Sequence, residues 1–315
     1  MIYNKAFYKN AGGLARPLTK QELLNEIKIR LDRGQTNLND IDTSKITDMS
    51  SLFYEISQNV DVSLWDTSNV TNMDYMFGGC AMFNCDLSKW DVSKVKNMHG
   101  MFDSCVMFNC DLSKWDVSNV EDMSYMFWGC TYFNSDLSRW NTGKVLNMEG
   151  MFNGCHNFNS DLSKWDVSKV ENMSDTFCFC ISFNSDLSKW NVGRVKSMNC
   201  MFYGCEKFNS DLSRWDVSNV IDMVHMFHDC SNFNSDLSRW NVSRVESMDY
   251  MFANCTNFNS DISKWDVSEV DHMAYMFANC TNFNCDLSGW NTKSLIFSSE
   301  IFFNSGVKEK PKWCC

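Results

Sequence analysis

His225, His228 and Cys230 crowd into six residues. On one face of a helix they would form a partial ligand set for a transition metal, because imidazole and thiolate are its usual donors. No pattern of carboxylates surrounds them to orient the rings, so a metal-dependent enzyme stands third among the functional readings. The chain has no nucleophile elbow, P-loop or dinucleotide fingerprint. Its acidic residues recur too evenly to be an acid–base pair. No catalytic residue, cofactor or metal ligand is therefore assigned.

The chain has sixteen cysteines, and nine of them (Cys80, Cys105, Cys130, Cys155, Cys180, Cys205, Cys230, Cys255 and Cys280) fall 25 residues apart. An odd, unbroken column of one residue type reads as a small buried hydrophobe repeated in every unit, with its thiols reduced. Cys85 and Cys110 would be stacked in adjacent units and are the best pair for an occasional disulfide. No CxxC pair with partner ligands appears, which argues against a zinc site.

A second set of columns carries charge. Lys89, Lys114, Arg139, Lys164 and Lys189 run beside Asp91, Asp116, Asn141, Asp166 and Asn191. Carboxylates stacked about 4.8 Å apart repel one another. Alternating Asp with Asn and setting cations alongside relieves that repulsion. The row is then either a self-neutralising solvated face or a regular charge array for a periodic or acidic partner. A calcium array is disfavoured, because the GGxGxDx turn is absent.

Other columns vary from unit to unit. Met82, Met107, Tyr125, Trp128 and Tyr132 gather early, with Phe179 and Ile181 further on. Aromatic and Met side chains exposed together suggest a protein-binding patch; ordinary scatter of apolar residues is the alternative.

These residues need a scaffold, and the period supplies it. Tryptophan recurs every 25 residues from Trp65 to Trp290, with only Trp128 and Trp313 outside the column. A repeat of this kind predicts a solenoid whose units bury a continuous strip by stacking. From Val70 to Phe83 the apolar steps are 3, 3, 1, 3 and 3, which predict a short helix or 3-10 turn. Leu87, Trp90 and Val92 then predict a short strand. Asn84, Asn109, Asn134, Asn159, Asn184, Asn209, Asn234, Asn259 and Asn284 form a structural ladder at the corner between them. There each amide would pair with backbone groups, and losing one would leave buried polar groups unpaired, at about 1–3 kcal/mol.

The expected organisation is an N-terminal cap over 1–37, about ten coils over 38–292, and a degenerate cap with a basic tail over 293–315. The cap contains a helix at about 19–33, with Thr19 and Glu22 as a capping box and Gly34 as its stop. The tail is read first as untethered; the alternative is that Cys314 and Cys315 beside Lys308, Lys310 and Lys312 form a doubly lipidated, polybasic terminus.

The net charge of −11 argues against nucleic acid as partner. No run of about 18 apolar residues exists, so no spanning helix is expected. The start, MIYNKAFYKNAGGLARPLTK, lacks the apolar stretch of a secretory signal, which sets a cytoplasmic expectation.

The unit NVTNMDYMFGGCAMFNCDLSKWDVSKV (69–95) and the lead-in IDTSKITDMSSLF (41–53) resemble the BspA-like leucine-rich repeats, the bacterial surface protein 26-residue repeat group. The resemblance spans roughly 38–292. It implies an α/β repeat fold, a right-handed leucine-rich-repeat-like solenoid. It also implies surface location, adhesion and protein binding, against the cytoplasmic expectation. The expected function is a non-catalytic, monomeric scaffold for protein–protein recognition or adhesion, its partner unidentified. A structural or surface-coat protein without a specific ligand is the alternative.

Overall fold

The computed structural model describes residues 15–314. Within them the chain winds as stacked coils of 25 residues. Parallel backbone bridges step from coil to coil, Asn72 to Asn97, Asn97 to Asp122, and onward to His272 with Phe297. A single apolar cluster runs from Ala15 to Phe302.

One side of each coil is a ladder of a particular kind. In the coil that starts at Asn72, the amides of Met73, Tyr75, Phe77 and Gly79 donate to the next coil, to the carbonyls of Asn97, His99, Met101 and Asp103, at 2.7–3.0 Å. The amides between them stay local. Met76, Gly78 and Cys80 donate three residues back, to Met73, Tyr75 and Phe77, at 3.0–3.1 Å. Asp74 donates its amide to Asn72 Oδ1 at 3.1 Å. Every amide from Met73 to Cys80 is thus satisfied, half by turns and half by a sheet-like ladder.

This corrects the expected helical turn in each coil. The described residues contain one α-helix, α1 (Lys20–Leu31), and one 3-10 turn, η1 (Lys312–Cys314), and neither lies in a repeated coil. The steps of three arise from successive β-turns, each closed by an amide that donates three residues back. Positive φ at Tyr75 (47°) and Gly79 (77°) reverses alternate peptides, so their N–H groups point along the solenoid axis. A helix would direct them along its own axis and leave the neighbouring coil unbonded.

The expected strand is also replaced by turns. Asp86 Oδ1 accepts the Ser88 amide at 2.9 Å, and Asp91 Oδ1 accepts that of Ser93 at 3.0 Å. The Trp90 amide donates back to Leu87 O, and that of Val95 to Val92 O. The D-L-S and D-V-S phrases are Asx-turns, in which a short acceptor side chain mimics a turn of backbone. On this side the coils are joined by side chains. The Trp165 indole N–H donates to Leu137 O at 3.0 Å, and Leu162 N–H to Ser185 Oγ at 2.9 Å.

Rings fill the interior. Phe152 lies between Phe127 and Phe177 at centroid distances of 5.6 and 5.7 Å, and Trp165 stacks on Trp140 at 6.1 Å. The cysteine column adds a directional bond to its packing. Cys155 Sγ–H donates to Phe127 O at 3.0 Å, and each member repeats this bond. Burial pushes Cys80 up to about 11 and Cys280 to about 12, so these thiols resist forming the thiolate that oxidation needs. Cys85 and Cys110 are unbridged; Cys110 Sγ instead accepts the Leu87 amide at 3.1 Å.

The two ends close the strip. Thr19 caps α1, its Oγ1 accepting the Glu22 amide at 3.2 Å, while the Glu22 carboxylate reaches Leu18 N–H at 2.7 Å. Leu23 and Ile27 are buried against the first coil, and Gly34 takes a φ of 72°. At the far end Trp313 stacks on Trp290 at 6.0 Å and donates to Leu287 O at 2.9 Å, which continues the tryptophan column. Cys314 packs against the core cluster; Cys315, like residues 1–14 of the expected N-terminal cap, lies outside the described residues.

Candidate functional site

Two faces of the solenoid are candidates. On the turn side, Lys89, Lys114, Arg139, Lys164 and Lys189 are exposed and form no ion pair among the described residues. The carboxylates beside them are engaged locally. Asp91 accepts both the amide and the hydroxyl of Ser93, at 3.0 and 2.6 Å, and these bonds hold its pKa below the usual carboxylate value. Asp116 and Asp166 accept the amides of Ser118 and Ser168 at 3.0 Å. Asn141 accepts the Gly143 amide in the same way, at 3.2 Å. The position needs an oxygen acceptor two residues ahead of an amide, and Asp and Asn both supply one.

The asparagine ladder lies at the corner and is exposed. Asn159 N–H donates to Asn134 Oδ1 at 2.9 Å and Asn184 N–H to Asn159 Oδ1 at 2.8 Å; the series runs from Asn84, on Asn59 Oδ1, to Asn284. Because water can replace a lost bond there, the cost of a buried unpaired group does not apply. Asn159→Ala should cost about 0.5–1.5 kcal/mol, the net value of one hydrogen bond. A urea midpoint unchanged from the parent would contradict this.

The other face is the ladder itself. The apolar candidates divide around it rather than forming one patch. Met82, Met107 and Tyr132 are 59%, 43% and 51% exposed and follow one another along an edge, where the Met107 amide bonds Ala81 O. Tyr125 and Trp128 sit on the ladder face with ring centroids 5.3 Å apart. Tyr125 O–H donates to the Glu149 carboxylate. Two coils further on, Phe179 packs against Tyr203 with centroids 4.8 Å apart and ring planes tilted by 44°, and Ile181 is half-buried.

Phe179 opens a second cluster that the sequence did not reveal. Tyr203, the pair His225 and His228, Tyr250 and Tyr275 continue it coil by coil, with ring centroids 4.7–4.9 Å apart. The two histidines belong to one coil. Their ring planes differ by 13°, their centroids are 5.1 Å apart, and Nδ1 meets Nδ1 at 2.9 Å. These values describe two nearly coplanar imidazoles joined edge to edge, a plate between Tyr203 and Tyr250. The available signal was the register of columns 75 and 78, which places an aromatic over each imidazole.

Hydrogen bonding assigns the proton in that plate. Asn304 Nδ2 donates to Asn279 Oδ1, Asn279 Nδ2 to Asn254 Oδ1, and Asn254 Nδ2 to Asp229 Oδ1 at 2.6 Å. The same Asn254 nitrogen is 3.3 Å from His228 Nε2, which must therefore accept. His228 then carries its proton on Nδ1 and donates it to His225 Nδ1.

Cys230 turns the opposite way, fully buried, its thiol donating to Phe202 O at 2.9 Å. The ligand trio read from the sequence does not assemble. Among the described residues no group of three or more His, Cys, Asp or Glu could hold a metal ion.

Burial lowers the pKa of both histidines, and for His225 the charge of His228 adds to the effect. A histidine whose folded pKa lies below its unfolded value contributes stability at pH values above the latter, and this is lost as pH falls. The urea midpoint should therefore drop between about pH 7.5 and 5.5, on either side of the unperturbed imidazole value. His225→Tyr, the residue found at Tyr250 and Tyr275, should flatten that drop. An unchanged pH dependence in the variant would show that the pair does not carry it.

No helix among the described residues is long and apolar enough to cross a membrane. A family model described as "Mycoplasma protein of unknown function, DUF285" matches residues 24–139, 123–235 and 201–313. The chain is similar to the solved structure of a leucine-rich repeat protein from Eubacterium ventriosum, at 14% identity and a TM-score of 0.41, covering 92% of this chain and 88% of that one. It is also similar to one from Bacteroides ovatus, at 12% identity and a TM-score of 0.32, covering 79% and 69%. No curated protein matches it.

Proposed function

The chain belongs to the family described as "Mycoplasma protein of unknown function, DUF285", and from that premise we propose that it is a non-catalytic repeat scaffold that recognises a protein partner through its ladder face. One observation carries the reading. Core and Asx-turn positions repeat almost unchanged in every coil, whereas the outward positions of the ladder vary along the array, although Tyr250 and Asn254 recur at Tyr275 and Asn279. Where Tyr125 and Trp128 stand in one coil, the next has Gly150 and Asn153, and a later one His225 and His228. Side chains freed from construction and rich in aromatic rings suit a specific interface.

The turn side offers less for recognition. Its Asx-turn carboxylates and its cations repeat with little change from coil to coil. Adhesion at a surface, as the BspA-like resemblance implies, would be one use of such a scaffold.

The test keeps the fold by substituting residues that other coils already use. Tyr125→Gly, Trp128→Asn and Phe179→Gly match Gly150, Asn153 and Gly204. Pull-down from the native cell should lose its specific partner with these changes and keep it when Lys89, Lys114 and Lys164 become Ser. Equal recovery with every variant would favour a structural coat without a specific ligand.

A further inference from the structure

The ladder occupies an eight-residue window in each coil, from 48–55 and 72–79 through to 297–304. These eleven windows hold eleven carboxylates and no Lys or Arg. Of the 39 Asp and Glu in the chain, 28 remain elsewhere, against all 28 Lys and Arg. The net charge of the molecule is the charge of this one face.

The carboxylates of the face accept local hydrogen bonds, as Asp222 Oδ1 does from Val224 N–H at 2.9 Å and Asp249 Oδ1 from Ala274 N–H at 2.6 Å, but few have a cation beside them. Lys20 of α1 reaches Asp48 at 3.4 Å, at the N-terminal end. Further along, desolvation raises the pKa of Asp74, Asp103 and Asp175, outweighing the opposing charge of His99 at the first two and of Lys20 at Asp74. Asp74 Oδ1 is the one buried side-chain oxygen or nitrogen among the described residues without a hydrogen-bond partner. Between these acids lie the rings of Tyr75, Trp128, Phe179, Tyr203, Tyr250 and Tyr275.

We propose that the ladder face docks a Lys- and Arg-rich extended segment of a partner protein. The inference rests on the ladder-face reading above and names the class of its partner. Eleven carboxylates spread over eleven coils supply the counter-charge, and the edges of the Tyr, Trp and Phe rings beside them offer apolar surface to the aliphatic stems of Lys and Arg. An acidic segment would find no Lys or Arg within these windows to meet it.

The probe is a synthetic Arg/Ser peptide of about 15 residues, whose extended length at ~3.3 Å per residue matches a face of ~50 Å. Binding is read by fluorescence anisotropy at about 50 mM salt, where screening is weak. Asp222→Asn, Asp229→Asn and Asp249→Asn are combined in one variant. Asn already stands in these columns at Asn172, Asn254 and Asn199, so the fold accommodates it. The control variant combines Asp161→Asn, Asp186→Asn and Asp211→Asn on the turn side, with the same change in net charge.

The ladder variant should bind about tenfold more weakly and the control within about twofold of the parent. Equal losses from both variants would overturn the proposal, since bulk charge would then explain the binding. Absence of binding by the parent would overturn it too. If pull-down still responded to Tyr125, Trp128 and Phe179, the ladder-face reading would survive and only the cationic class would fall. If pull-down were also insensitive, both would fall.

Discussion

Replacing Trp165 by alanine should destabilise the protein by about 4 kcal/mol, the middle of the range for removing a buried large aromatic. The side chain is 4% exposed, stacks on Trp140 at 6.1 Å and donates its indole N–H to Leu137 O at 3.0 Å. Truncation opens a cavity between coils and strips a buried carbonyl of its partner. In a solenoid each unit is stabilised by its neighbours, so a lesion at mid-array weakens the coupling between the two halves. Urea unfolding should show a lower midpoint and a broader or split transition, with hydrogen exchange fastest in the coils around 137–190. A shift no larger than that of the exposed Lys164→Ala, about 0.5 kcal/mol or less, would refute it.

Tyr275→Ile should cost about 2–3 kcal/mol, and Tyr275→Asn less than about 1, because only the first puts a β-branched residue at positive φ. Tyr275 sits at φ 55°. Its column and that of Gly79 adopt this left-handed conformation in coil after coil, and none of their members from Ser51 to Asn304 is Val, Ile or Thr. Both substitutions lose the stack on Tyr250 at 4.9 Å, so the difference between them isolates the backbone. A helical coil would give the opposite order, since Ile is the better helix former. Paired thermal melts decide it. If the Ile variant were the more stable, alternate peptide reversal could not be what builds the ladder.

The array was plain in the sequence because its structural demands recur at fixed spacing. Trp165 must fill the same gap as Trp140, and Asn159 must receive the same amide as Asn134, so identity repeats with geometry. The helix α1 was legible for a different reason, its cap and apolar face being local features.

Within the coil the same logic misled. Steps of three from Met73 to Met76 suit a helix as well as consecutive turns, and apolar spacing does not distinguish them. The exclusion of β-branched residues at the columns of Tyr75 and Gly79 does, and so do the Asp86-Leu87-Ser88 and Asp91-Val92-Ser93 phrases as turn signatures. The histidine plate was hidden because its partners, Tyr203 and Tyr250, are distant in sequence. Cys230 looked like a companion to His225 and His228, yet it belongs to a column bonded inward.

Each coil passes the next the same bonds: four amides from the ladder, an indole N–H, a thiol and a corner asparagine. Seen as a polyelectrolyte, the ladder face has a mean linear charge density of one carboxylate per coil. At about 4.8 Å per coil this is roughly a third of the density of duplex DNA, which carries one charge per ~1.7 Å. Gaining or losing a coil of average composition would change length and total charge in proportion and leave that mean density untouched. The face could thus be lengthened to suit a longer counter-ion without being redesigned.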